Sequence, residues 1–146
     1  MLTAWFLVYS LMSFAPGNDI PDWKYVEYNE LYKKQLRFEF MISAIIAVES
    51  EGYSLAWKEN ENARGILQIR SIMVREANRI VGYSRFKHTD CWSISKSIEI
   101  FKIVQDKHNP TYNLYLAAML WNTGQIYGKS PAYWRKIIKK LRNGRK

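Results

Sequence analysis

FEFMISAIIAVESEG, residues 38–52, is the stretch from which the fold can be read. Phe38, Met41, Ile42, Ile45, Ile46 and Glu49 recur at the spacing of one stripe of a 3.6-residue helix. One face is therefore apolar, and the carboxyl of Glu49 lies on it. Gly52 follows closely and is a natural helix stop, which predicts Glu49 near the carboxy-terminal end of the helix, facing a cleft. A carboxyl on an apolar face is costly when ionised, and a group that keeps its proton near neutral pH is what general acid catalysis requires. The competing reading is a carboxylate at the rim of the core, solvated or paired with Arg64 or Arg70.

The same periodicity organises the flanks. Residues 23–36, with Val26, Leu31 and Leu36 among tyrosines, predict a first helix before the stripe. After it, Ser71 is placed to cap a helix carrying Met73, Val74, Ala77, Ile80 and Val81, with Gly82 ending it. Residues 92–107 form the next, with Ile94, Ile98, Phe101 and Gln105 inward and Pro110 beyond its end. Residues 114–121 are nearly all apolar and predict a helix buried on most sides, closed by Asn122-Thr123-Gly124. Ser130-Pro131 has the form of an N-cap followed by proline at the first helical position. That last helix should turn Trp134, Ile137, Ile138 and Leu141 inward. Only 66–69 suggests a short extended piece, so the expected fold is mainly α, a single helical domain with at most a very short β segment.

Composition agrees with one folded domain. The chain has 146 residues, of which 48% are hydrophobic and 15% aromatic, enough to bury a core and too rich in rings for disorder. A net charge of +9 predicts an anionic partner, either nucleic acid, an acidic membrane surface or the anionic polymers of a cell envelope. Arg135, Lys136, Lys139, Lys140, Arg142, Arg145 and Lys146 supply part of that excess. Cys91 is the lone cysteine, which excludes an intrachain disulfide, and His88 and His108 lack paired-ligand spacing. No metal and no cofactor is expected.

Residues 2–15 are almost free of polar side chains, carry no charge and end in Ser13-Phe14-Ala15, a small-x-small pattern of the kind that precedes a signal-peptidase cut. No Lys or Arg precedes the run, and Pro16 follows it. We read residues 1–18 as a signal peptide or short hydrophobic anchor, the alternative being a structural helix. Pro16 to Pro21 then act as a linker, and residues 19–146 form the folded domain. The expected location is the periplasm or cell envelope, or alternatively a phage-encoded protein that reaches it.

Beyond Glu49 the chemistry-bearing residues fall in a fixed order. Glu49-Ser50 is followed by Gly52-Tyr53, then by Gly65-Ile66-Leu67-Gln68, and much later by Trp121-Asn122-Thr123-Gly124. This order resembles the soluble lytic transglycosylase family, whose pattern is Glu-Ser, a loop, Gly-Leu-Met-Gln, and later Ala-Tyr-Asn-x-Gly. The likeness extends over roughly residues 42–137. Leu67 stands where the family has Met, Trp121 where it has Tyr, and the loop between is charged, with Glu51, Lys58, Glu59 and Glu61.

The resemblance implies a lysozyme-like helical domain acting on peptidoglycan as a monomer. It assigns Glu49 as the catalytic acid and Ser50 as its hydrogen-bonding support. By the same likeness Gln68 lines the sugar cleft, Asn122 lies near the reacting sugar, and the Tyr133 hydroxyl approaches the catalytic carboxyl. Tyr53, Trp57, Trp121 and Tyr127 are candidates to stack on sugar faces or to pack the core and rim. In the implied reaction one carboxyl protonates the bond between N-acetylmuramic acid and N-acetylglucosamine, then closes a 1,6-anhydro ring. The alternatives are a muramidase resembling goose-type lysozyme, with Glu59 or Glu61 activating water, and a non-catalytic protein whose basic carboxy-terminal helix binds an anionic envelope polymer. Nucleic acid is not the expected partner.

Overall fold

The computed structural model describes residues 22–125 and 127–143. Contacts divide the chain into two compact units, residues 1–32 and 33–146. In the first, residues 22–32 are helical, and the expected signal or anchor segment and its linker lie outside the described residues. Among the described residues no helix is long and apolar enough to cross a membrane. The fold is mainly α, with five α-helices among the described residues and one two-stranded sheet.

Helix α1 runs without a break over Asp22–Glu49. The sequence suggested two helices here, but nothing between Leu36 and Phe38 can stop one, since Arg37 is a good helix former and neither Gly nor Pro intervenes. Core burial begins at Phe38 and continues through Met41, Ile42, Ala44 and Ile45, as the stripe predicts. Leu36 and Phe40, which point elsewhere, are about half exposed.

The β segment does not fall where expected. Strands β1 (Trp57–Lys58) and β2 (Ala63–Arg64) pair antiparallel across the 3₁₀ turn Glu59–Glu61. Residues 66–69 form a tight turn instead, tied to the hairpin by an isolated bridge between Arg64 and Ile69. Extended backbone is excluded there because Gly65 and Gln68 both take positive φ, +76° and +48°. The turn sends Ile66, Leu67 and Ile69 into the core.

Helix α2 (Ser71–Val81) is capped one residue earlier than expected: Arg70 holds the N-cap position with no side-chain bond, and Ser71 is the first helical residue. Arg70 is occupied elsewhere, as described below. A 3₁₀ turn over His88–Trp92 leads to α3, Ile94–His108, whose N-cap Ser93 accepts a bond from the amide of Lys96. Its inward stripe is Ser97, Ile100, Phe101, Val104 and Gln105. Ile94, expected inward, is exposed at the first helical position. Helix α4 (Leu114–Thr123) buries five consecutive residues from Ala117 to Trp121 and ends at left-handed Gly124. Helix α5 opens at Pro131 and runs to Asn143, burying Tyr133 and Ile137, with Trp134, Ile138 and Leu141 only partly covered.

An aromatic cluster locks α1, α3 and α4 together. Phe101 packs edge-on to Trp121 at 4.7 Å between ring centres, and Phe38 lies against both Phe101 and Tyr112. The Trp121 indole also donates to the carbonyl of Leu67 at 2.9 Å. Helix α2 is fastened to α3 by Glu76, which receives both arms of Arg79 at 2.7 Å and meets His108 Nε2 at 2.6 Å. The Arg79 fork lowers the Glu76 pKa from its ordinary 4.5 to about 2, burial opposing and His108 assisting. A carboxyl lowered on folding stabilises the protein above its unfolded pKa and ceases to do so as pH falls through its folded value. Thermal unfolding followed downward from neutral pH should therefore show a loss of stability between about pH 4.5 and pH 2, and Glu76→Gln should flatten that loss. Identical acid profiles for the two proteins would discount the link.

Candidate active site

Glu49 is the last residue of α1, and its side chain is 9% exposed. Oε1 accepts a 2.6 Å hydrogen bond from the hydroxyl of Tyr133, a residue 84 positions later on α5. Oε2 lies 3.4 Å from the ammonium of Lys58 on β1. Burial first, then the charge and hydrogen bond of Glu49, push the Tyr133 phenol well above its ordinary 10. The hydroxyl consequently remains a donor, and the carboxyl holds Tyr133 on one oxygen while the other faces the half-exposed Lys58 ammonium. The expected alternative pairing with Arg64 or Arg70 does not occur. Arg64 lies over the Trp92 ring, and Arg70 donates to the carbonyls of Asn122 and Trp121 at the end of α4.

That use of Arg70 explains how two distant motifs meet. The last carbonyls of a helix have no intrahelical partner and carry its negative pole, so a guanidinium there is doubly favoured. It ties the residue two places after Gln68 to the Trp121-Asn122 pair. Gln68 itself is 6% exposed and held by its amide nitrogen, which donates to the carbonyls of Ala56 at 2.7 Å and Gly65 at 2.8 Å. Its amide oxygen is buried and has no partner among the described residues. Ser50 donates to the carbonyl of Ile66 at 2.7 Å and accepts from the amide of Gly52, so it ties the hairpin's return to the end of α1.

These side chains converge on a cleft of about 140 Å³. Glu49, Gln68, Trp121, Asn122 and Tyr133 line it together with Val48, Lys58, Glu61, Arg70 and Lys136. The side-chain amide of Asn122 makes no hydrogen bond to other described residues. Trp121 is 4% exposed and bonded to Leu67, so it supports the floor and offers no free ring face for stacking. Tyr53 is 63% exposed on the loop and is not among the lining residues. Trp57 and Tyr127 are exposed as well. Of the two loop glutamates, Glu61 reaches the cleft and Glu59 does not.

Sequence reasoning missed Lys58 and Lys136 as parts of this site and offered Arg70 only as a partner for Glu49. Lys136 had a signal: it lies three residues after Tyr133, on the same helical face. A larger groove of about 540 Å³ lies between α2 and α3, but its one carboxyl, Glu76, is consumed by Arg79 and His108. Cys91 is fully buried and its thiol is pushed up to about 12, chiefly by burial, so it is no nucleophile. Among the described residues no group of three or more His, Cys, Asp or Glu is arranged to hold a metal. Comparison of the chain with family models, with curated proteins and with solved structures finds no match.

Proposed function

We propose that the protein is a peptidoglycan lytic transglycosylase with Glu49 as its single acid/base. The observation that carries this reading is the 2.6 Å bond from Tyr133 to Glu49, which joins two residues that the resemblance pairs and that nothing local in the sequence brings together. Glu49 delivers its proton to the oxygen between the muramyl and glucosaminyl sugars, and the bond from that oxygen to the muramyl C1 breaks as positive charge develops on the ring. The muramyl acetamido group supports the electron-poor carbon. Glu49, now a carboxylate, takes the proton of the C6 hydroxyl while that oxygen bonds to C1, so no water is consumed and the acid is restored. Tyr133, always protonated, stabilises the carboxylate between the two steps.

Tyr133→Phe should lower kcat about thirtyfold, the worth of roughly 2 kcal/mol for a hydrogen bond to a charged group. Assays on soluble glycan strands would show it, and an unchanged kcat would remove Tyr133 from the mechanism.

Glu61 at the cleft favours a second reading, a hydrolase in which that carboxylate activates water. Mass spectrometry of the products separates the two. Anhydromuramyl ends are the expected outcome, and reducing ends alone would replace the transglycosylase by a muramidase.

A further inference from the structure

The cleft holds more positive charge than the acid/base chemistry uses. Three cations, Lys58, Arg70 and Lys136, face two carboxylates, Glu49 and Glu61. Lys58 is committed to Glu49. Among the described residues Arg70 bonds only to backbone carbonyls, which carry no formal charge to neutralise it. Lys136 makes no hydrogen bond or ion pair with the described residues, although it stands one turn from Tyr133. Beside them lies Gln68, 6% exposed, whose amide oxygen has no partner among the described residues and whose orientation is fixed because its nitrogen is already bonded to two carbonyls. A buried acceptor left empty is costly unless a ligand supplies a donor. The cleft is therefore complementary to a molecule that brings one N–H or O–H and one negative charge.

We infer that Lys136 and Arg70 form a seat for a carboxylate carried by the muramyl unit, while Gln68 Oε1 accepts from an adjacent amide or hydroxyl of the same sugar. This rests on the proposed glycan substrate and adds to it a requirement for charge. Neutral N-acetylglucosamine polymers meet the Gln68 requirement and not the other. The carboxylate has two sources, the lactyl ether of a peptide-free muramyl unit or the peptide that acylates it.

Binding reads this independently of cleavage. Calorimetry on the full chain carrying Glu49→Gln would use soluble strands of three kinds: peptide-stripped, stripped and then amidated at the lactyl carboxyl, and peptide-bearing. Amidation should weaken binding about tenfold, the usual scale for one charge-assisted contact. Lys136→Met should abolish the difference between the charged and amidated strands, and Lys136→Arg should restore it. A preference for peptide-bearing over stripped strands would assign the seat to the peptide carboxylate, and the reverse to the lactyl one. Equal affinity for charged and amidated strands overturns the seat, even where wild type cleaves both. If wild type cleaves nothing yet the chain still prefers charged strands, the seat stands and the transglycosylase reading falls.

Discussion

Glu49→Gln is expected to reduce glycan cleavage about a thousandfold, within the span attributed to a positioned general acid. The amide keeps the size of the carboxyl and can still accept from Tyr133, but it has no proton to deliver and cannot take one back. Both halves of the reaction fail together, which is why the loss should exceed that of Tyr133→Phe. Stability should change little, because the ion pair to Lys58 that disappears spans 3.4 Å with the lysine about half exposed, a type of contact worth at most about 1 kcal/mol. Turbidity loss of purified peptidoglycan and a urea titration, run on the same preparations, measure the two quantities. Clearing at the wild-type rate would leave the chain with no catalytic role for its one nearly buried cleft carboxyl.

Gly65→Ala should be the most damaging small substitution in the protein. Its φ is +76°, and a Cβ added there would stand 1.8 Å from the carbonyl oxygen of Cys91 and 2.9 Å from its carbon. That oxygen cannot retreat freely, since Ser97 Oγ donates to it at 2.8 Å inside the core. Either the 3₁₀ turn at Cys91 or the turn leading to Gln68 must move, at a cost of about 3 kcal/mol or more on top of the left-handed penalty of about 1 kcal/mol. Gly82→Ala isolates the penalty alone: it has a similar φ of +86° and nothing within 4 Å. Urea midpoints for the two variants should differ widely, with Gly65→Ala the lower. Equal midpoints would mean that the close approach to Cys91 is absorbed at no cost.

What could be read from the sequence was what depends on period and punctuation. The stripe from Phe38 to Ile45 is buried as its spacing requires, and Gly82 and Gly124 end helices in left-handed conformation. Boundaries that depend on tertiary partners were not legible. Ser71 has the chemistry of a cap, yet Arg70 precedes the helix because its guanidinium is drawn to the end of α4. Likewise 66–69 suggests a short extended piece but turns, because the core must receive Leu67 and Ile69 while Gln68 holds the hairpin.

The site divides along the same line. Glu49, Gln68, Asn122, Trp121 and Tyr133 converge on one cleft, and Ser50 holds the hairpin beside it. Tyr53, a candidate to stack on a sugar face that stands only four residues after Glu49, is exposed on a loop. Lys58 gave no signal, because nine residues and a change of direction separate it from the carboxyl it meets. Distance along the chain was a poor guide in both directions.

The bond between Glu49 and Tyr133 also has a consequence for timing. A ribosome makes the hairpin and helices α1 to α4 before it makes α5, so a nascent chain carries the acid long before it carries the hydroxyl that steadies it. If the proposed chemistry holds, a copy clipped before Tyr133 would keep the acid without its hydroxyl partner and should cleave glycan no better than Tyr133→Phe.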